Sequence, residues 1–480
     1  TRNGVEDVEV VEPLTNYTVA RVQKNWKGNT LLGGMVTSVN RALDQPYLED
    51  FMVRNAFTAG IDFTQYFKNR LYYIDVKGML SSLHGSAGAI TALQNSVAHY
   101  YQRASSADYL GVDPTRRSLT GTGGYVKVGR KGNAKWNFSE TFTWSSPGFD
   151  LNDMGYMKET DYLMNETEIM YRQTDIWKIF RYNAFTLSQK NMWNYGGTPF
   201  SNNASLRWQS MTMNRYEWDV KETFAWNWLD SRLLRGGPDV RFGSYFLTSA
   251  KFNTDKAKRM MFMLKYEGDH NFEGNRFNTI SPSLTFRLGN HVYLSGQLDY
   301  AWNTDEMQYV ATTSPLSSSS LTPYYYVMGH MDQKTYGLTL KLQVNVTPDI
   351  SIQFYGAPFT SIAKYDDFKL AADTKSHTFE NRFQRIDPDH LTYADGVYTI
   401  GEGAGQMPFR NPDFRFNEFR SNLVARWEYL PGSTLYFVWE HRMSNRDNWY
   451  SSGWGSNLDR MWGLPATNTF MIKMNYWFNL

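Results

Sequence analysis

Ile280-Ser281-Pro282-Ser283-Leu284-Thr285-Phe286-Arg287-Leu288-Gly289-Asn290-His291-Val292-Tyr293-Leu294-Ser295-Gly296-Gln297-Leu298-Asp299-Tyr300-Ala301-Trp302 alternates apolar and polar residues with almost no slip. Successive side chains of a strand point to opposite faces, so this pattern gives each leg one greasy face and one polar face. Gly289-Asn290 interrupts the alternation as a tight turn would. Each leg runs about 10 residues or more, the length a tilted strand needs to cross a bilayer, whereas strands of soluble sandwiches average about 5–6.

The same pattern recurs along the chain. Residues 14–26 and 29–40 read as a hairpin around Lys27-Gly28, and 54–67 and 70–83 as the next pair. The stretch 335–346 sets Tyr336, Leu338, Leu340, Leu342, Val344 and Val346 against Thr335, Thr339, Lys341, Gln343 and Asn345. Slipping that register by one residue would place Lys341 in lipid, at a cost of about 2–4 kcal/mol near the midplane. The final stretch, 468–480, alternates Phe470, Ile472, Met474, Tyr476, Phe478 and Leu480 with polar partners. A chain ending in such a strand suits a barrel whose last strand closes on its first, since open edges in lipid leave backbone groups unpaired.

Short connections at 130–133, 173–175, 253–256, 289–290, 347–349 and 431–433 alternate strictly with long ones. The long ones fall near 41–53, 84–117, 147–160, 194–202, 230–239, 305–323, 366–416 and 447–467. Outer-membrane barrels have short periplasmic turns and long extracellular loops. The expectation is an all-β fold: a large transmembrane antiparallel up-and-down β-barrel of about 18–20 strands in the bacterial outer membrane. It is expected to span 1–480; an odd count near 19 implies either an earlier strand outside these residues or a count that is off by one.

Two connections carry structure of their own. In 84–117, Ser86 is placed to cap a helix with Ile90, Leu93, Val97 and Tyr101 at helical spacing, forming either a helix on the barrel mouth or a partial plug. In 366–416, Thr392 to Thr399 reads as a small hairpin around Asp395-Gly396, and Ser317 to Ser320 is a four-serine tip. Glu140 falls in phase with Trp136, Phe138, Phe142 and Trp144, which predicts a bulge beside it.

Composition agrees with a barrel and excludes several other classes. The chain has 480 residues, 32 Tyr, 30 Phe, 16 Trp, no Cys and a net charge of +2. The aromatic content fits girdles at the two membrane boundaries. No run nears the ~18 apolar residues of a membrane helix. Without cysteine there is no disulfide, thiolate metal site or cysteine nucleophile. Interleaved charge leaves no basic patch for nucleic acid.

The alternation assigns faces. Asp75, Lys77, Ser283, Thr285, Arg287, Gln297, Asp299, Thr339, Lys341, Gln343, Asn345, Arg426, Glu428 and Lys473 fall on the lumen side. Leu284, Phe286, Leu294, Leu298, Leu338, Leu340, Leu342, Ile472 and Met474 fall on the lipid side. The lumen set mixes both signs of charge, as a hydrated, salt-bridged interior or a path for neutral and zwitterionic solutes would.

A string of motifs runs through the chain in fixed order. It comprises Val11-Glu12-Pro13-Leu14-Thr15-Asn16-Tyr17, Asp113-Pro114-Thr115-Arg116 before Gly121–Tyr125, and Ser146-Pro147-Gly148-Phe149-Asp150-Leu151-Asn152-Asp153-Met154-Gly155-Tyr156. It continues with Leu234-Arg235-Gly236-Gly237-Pro238, Asn411-Pro412-Asp413-Phe414, and Ser421 to Tyr429 followed by Pro431-Gly432-Ser433. Together these resemble the C-terminal domain, of unknown function, in an outer-membrane family common in Bacteroidota. The resemblance implies a signal peptide and an N-terminal sandwich similar to family 9 carbohydrate-binding modules, both absent from these residues. It supplies no catalytic residue.

No HExxH, P-loop or GxSxG element occurs, and the eight histidines form no i,i+4 pair. Asp366-Asp367, Asp387-Pro388-Asp389 and Asp150 to Asp153 lack calcium-loop spacing. No cofactor or metal is implied. His441 beside Glu440 is the sole hint of rim catalysis. The expected role is a channel or uptake pore for polar solutes such as oligosaccharides. The alternatives are a structural or assembly subunit of an outer-membrane complex and, behind it, a rim hydrolase. Expected partners are outer-membrane lipid and lipopolysaccharide, and proteins docking on aromatic loops such as 448–450 and 453–455 or on a missing N-terminal domain.

Overall fold

The computed structural model describes residues 10, 12–103, 108–226, 228–316, 324–448 and 454–478. The Ser317–Ser320 tip and Trp449-Tyr450 lie outside these residues. Twenty strands join in one antiparallel sheet in which sequence neighbours pair, the all-β up-and-down class that the alternation predicts. The chain forms two compact units.

The first unit holds Thr1–Arg172, Thr186–Ser205 and Ala225–Phe242. Its meander runs β1 (Thr15–Trp26), β2 (Thr30–Arg41), β3 (Asn55–Phe67), β4 (Tyr72–His84), β5 (Ser118–Arg130), β6 (Trp136–Ser145) and β7 (Tyr162–Gln173). Registers from β1 through β7 run without a slip. So there is no bulge at Glu140, which pairs directly with Val128 and Thr167. Its carboxylate instead accepts hydrogen bonds from Asn165 and, at 2.6 Å, from Thr167 Oγ1. Two donors on β7 satisfy the acid in place, and the strand has no need to bend.

Next come β8 (Phe180–Trp193), β9 (Pro199–Thr212) and β10 (Glu217–Trp226). A separate small ladder joins β11 (Trp228–Asp230) to β12 (Val240–Phe242).

The second unit holds Gln173–Phe185, Leu206–Phe224 and Gly243–Leu480. It continues with β13 (Tyr245–Asn253), β14 (Met260–Asn271), β15 (Arg276–Leu288), β16 (Val292–Thr313), β17 (Tyr325–Asn345) and β18 (Ile350–Ala371). It ends with β23 (Phe414–Leu430), β24 (Ser433–Asp447) and β25 (Ala466–Asn475). Between β18 and β23 lie β19 (Phe383–Arg385) and a three-stranded sheet of β20 (Leu391–Ala394), β21 (Val397–Ile400) and β22 (Met407–Arg410).

Three expectations need correction here. Connections do not alternate strictly, because β14 and β15 join through only 272–275, where Gly274 at φ +104° makes the turn. Residues 305–313 and 366–371 are strand, not loop, so β16, β17 and β18 reach 21 or 22 residues. These arms persist because Val327, Phe368 and Leu370 bury against Ile400 and Phe409 of the small sheet. The last strand stops at Asn475, short of the expected reach; Tyr476 to Phe478 are not strand, Trp477 N donates to Ser433 Oγ, and Leu480 lies outside the described residues.

Candidate functional site

The registers sort side chains into rows across the second unit. Thr285, Ser295, Lys341, Tyr355, Asn422 and Glu440 form one cross-strand row, and Phe286, Leu294, Leu342, Phe354, Leu423 and Trp439 form the next. Adjacent rows face opposite sides. On the apolar side, Leu284, Leu294, Leu298, Leu340, Ile472 and Met474 are exposed, and Phe286, Leu338 and Leu342 are half-exposed. Soluble monomers rarely expose contiguous apolar surface on this scale.

The polar side is hydrogen-bonded within itself. Thr285 and Ser295 hydroxyls lie 3.0 Å apart, and Asp299 accepts from Ser281 at 2.6 Å and Gln297 at 2.9 Å. Ser283, Gln297 and Thr339 share a row. Arg426 pairs with Glu428 at 2.5 Å, and Lys473 lies opposite Tyr436. Gln343, Asn345 and Arg287 gather near the short turns, where Asn345 donates to Asn290 O and Arg287 to Lys256 O.

Asp75 and Lys77 belong to the first unit, and there the polar face carries a cavity of about 430 Å³. Its wall is the face of β1–β4 that bears Arg21, Asp62, Asp75 and Lys77, and its lid is Leu151, Met154 and Gly155. Arg21 reaches Asp62 at 3.2 Å. Asp75 accepts from Thr64 at 3.0 Å and from Tyr125 OH at 3.1 Å, while the Lys77 ammonium lies 5.5 Å from the Tyr125 ring centroid. Met35, Met79 and Leu31 complete an amphiphilic chamber. Its contents suit a polar solute with some apolar surface: donors and acceptors of both signs on one side, thioethers and leucines on the other.

The lid is a strap, residues 146–156, folded back onto the sheet. A Cβ on Gly121 would sit 2.1 Å from Phe149 N, and one on Gly123 would sit 2.5 Å from the Phe149 ring. Only glycines leave room for the strap to lie this close. Phe149 is 4% exposed, Asp150 N donates to Ser81 Oγ at 2.9 Å, and Asp153 pairs with Arg41 at 2.6 Å. The acids of 150–153 are thus structural anchors, and no cluster of metal-ligating residues occurs among the described residues. Reading along the sequence showed the Gly121–Tyr125 and Ser146–Tyr156 motifs without showing that each is the other's receptor.

The long connections of this unit pack into one polar hub. Helix α1 (Ala87–Asn95) is capped by Ser86, whose Oγ accepts from Ala89 N at 3.0 Å, and it buries Ile90 against Val39, Leu83 and Leu119. Gln94 exchanges two hydrogen bonds with the Asp113 backbone. Asp161, 1% exposed and held at φ +61°, accepts from Arg103 at 2.6 Å, Tyr109 OH at 2.6 Å and Tyr195 N at 3.1 Å. Burial, reinforced by the Asp161 carboxylate, raises the Tyr109 pKa above its usual value. Burial lowers that of Arg232, against the opposing pull of Glu159 at 3.1 Å.

Thr160, His99 and Asp150 have the outline of a hydrolytic triad, with Thr160 Oγ1 3.3 Å from His99 Nδ1 and His99 Nε2 2.9 Å from Asp150. All three are buried, Nδ1 also faces Pro147 O at 2.9 Å, and the hydroxyl donates to Ala98 O. The buried trio ties the 147–161 connection to the loop that carries Ala98 and His99. His441 contacts Asn468 at 2.9 Å and packs on Phe419 and Trp439, and Glu440 points to the opposite face.

Aromatic side chains collect where strands meet short turns. Trp26, Phe67 and Trp136 are exposed there in the first unit, with Trp136 packed 5.0 Å from Tyr171. In the second, Trp177 stacks on Phe180, Trp218 lies 4.5 Å from Phe252, and Trp427 is exposed.

No curated protein matches the chain. Among solved structures it is similar to the siderophore receptor PirA from Acinetobacter baumannii, at 9% identity and a TM-score of 0.36, covering 88% of this chain and 70% of that one. It is also similar to a mutant ferric enterobactin receptor, PfeA, from Pseudomonas aeruginosa, at 8% identity and a TM-score of 0.41, covering 93% and 72%. Likenesses at this level carry no argument about activity. The model of a domain of unknown function, DUF5916, matches residues 1–480, and the chain belongs to that family.

Proposed function

We propose that this chain is an outer-membrane β-barrel that passes or takes up polar solutes, with oligosaccharides as the solute class. The observation that carries the reading is the pairing of faces: exposed leucines and aromatics on one side of long strands, a hydrogen-bonded surface of mixed charge on the other. Water cannot favour the first and lipid cannot accept the second, so the two sides call for different media. Aromatic residues beside the short turns support a membrane boundary there. The strap-covered cavity on β1–β4 is the solute contact, its mixed charge favouring neutral or zwitterionic molecules over ions of one sign.

The test is single-channel conductance of the purified full-length protein in planar bilayers with oligosaccharides added as blockers. Steady conductance with sugar-dependent block supports passage. A second reading, an assembly subunit of a larger outer-membrane complex, is favoured by the exposed Tyr324, just before β17, and the exposed Tyr393, on β20 of the small sheet. A silent barrel with stoichiometric co-purifying partners would select it.

A further inference from the structure

Charge is distributed unevenly between the two ends of the first unit. The three short turns with their flanks, residues 24–29, 68–71 and 130–135, hold seven lysines and arginines and no aspartate or glutamate. Across the whole chain the net charge is only +2, so this concentration is local. At the other end, the connection 147–161 carries four acids and one lysine.

Among the described residues, Lys24, Lys27, Lys68, Arg70, Arg130 and Lys131 form no ion pair. Several lie over aromatic rings instead. The Lys24 ammonium is 5.2 Å from the Trp26 centroid, Lys68 is 5.8 Å from Tyr72, and the Arg130 guanidinium is 5.9 Å from the same tyrosine. The Arg130 Nε is buried and has no hydrogen-bond partner.

Register decides which way this group faces. Tyr72 pairs with Phe67 on one side and Arg130 on the other, while Lys24 lies opposite Leu32 and Leu32 opposite Phe63. Lys24, Tyr72 and Arg130 therefore stand on the face that exposes Trp26, Leu32, Phe67 and Val128, and Lys68, in the turn, reaches the Tyr72 ring on that face. Cations without a carboxylate thus stand among the rings at the turn end of an apolar face: Arg130 is level with Tyr72, Lys68 lies in the turn beyond it, and Lys24 lies two residues inside Trp26 with its ammonium over the indole. Aromatic rings settle at the headgroup level of a bilayer, and the long side chains of cations beside them reach out to headgroup phosphates.

We propose that Lys24, Lys68 and Arg130, seated on Trp26 and Tyr72, bind the phosphates of anionic phospholipids in the leaflet facing the short turns. Because this rests on the membrane reading above, the test separates the two. The purified full-length protein is equilibrated in mixed micelles with equimolar dioleoyl phosphatidylglycerol and dioleoyl phosphatidylethanolamine, repurified, and its retained lipid quantified by mass spectrometry. A cation beside an anionic surface is worth about fivefold in binding. The native protein should retain phosphatidylglycerol over phosphatidylethanolamine by about tenfold or more, and K24Q/K68Q/R130Q should bring the ratio near one. The charge-matched control K334Q/K364Q/R385Q should leave it unchanged.

Equal retention of both lipids by the native protein, or a preference that survives the triple variant, overturns the proposal. So does loss of a co-purifying acidic protein in the triple variant while lipid preference stays intact, since the cations would then serve a protein partner. A native protein that stays monodisperse in buffer with neither lipid nor detergent would refute the membrane reading itself.

Discussion

Replacing Gly121 by Ala probes the strap from beneath. The new methyl carbon would lie 2.1 Å from Phe149 N and 2.4 Å from the Gly148 carbonyl carbon. Both are backbone atoms, so no side-chain rotation relieves the clash, and β5 is held in register by β4 and β6. The strap must lift. Lifting exposes Phe149, now 4% exposed, and forfeits about 1.5–3 kcal/mol of burial. The open fraction should therefore rise about 10- to 100-fold. The chain has no cysteine, so one placed at Leu151, which lines the cavity, reports opening without background. Its maleimide labelling should accelerate by that factor in Gly121→Ala, while a cysteine at the exposed Tyr156 labels at an unchanged rate. Equal rates at position 151 in both backgrounds would refute the idea that β5 glycines hold the strap down.

Two further outcomes follow from the geometry. Asn165→Leu removes one donor from Glu140 on the apolar face and should cost about 1–3 kcal/mol, read as a lowered thermal midpoint in detergent; a change within that of a surface substitution would show the carboxylate to be solvated there. Burial alone would lower the His330 pKa, but Glu306 at 3.0 Å, Asp366 and Asp332 together raise it above the ordinary 6.5. A raised folded-state pKa gives stability that is complete below the unfolded value and is lost as pH rises through the folded one. Thermal midpoints should thus fall as pH rises above the ordinary histidine value of 6.5 in the native protein, and this slope should flatten in His330→Gln.

Strands were legible because alternation is local: Leu284 and Thr285 declare their faces without knowledge of any partner. The exception shows the limit. Glu140 looks like a register fault in its own strand, and only Asn165 and Thr167, 25 and 27 residues away, explain it. The reach of β16 to β18 depends on burial of Phe368 by Tyr398 and Phe409, which polar spacing within 366–416 conceals. The site was legible only as a face. Asp75 and Lys77 were assigned to the polar side, but the lid over them comes from residues 151–155, about 75 positions downstream, and no periodic signal links the two. Likewise the Asp161 hub joins Arg103 and Tyr109 of one connection to Tyr195 of another, and these segments show no pattern in common.

The most direct test of the account asks which face of the sheet meets lipid. Leu340 and Thr339 are neighbours on β17, one on the exposed apolar side and the other in the polar row with Gln297. Leu340→Lys and Thr339→Lys add the same charge at nearly the same depth. Denaturant titration of the protein refolded into phospholipid vesicles should show Leu340→Lys destabilised by about 2–4 kcal/mol and Thr339→Lys by less than about 1 kcal/mol. Equal costs, or the larger cost at Thr339, would contradict a membrane-embedded sheet with its leucines in lipid.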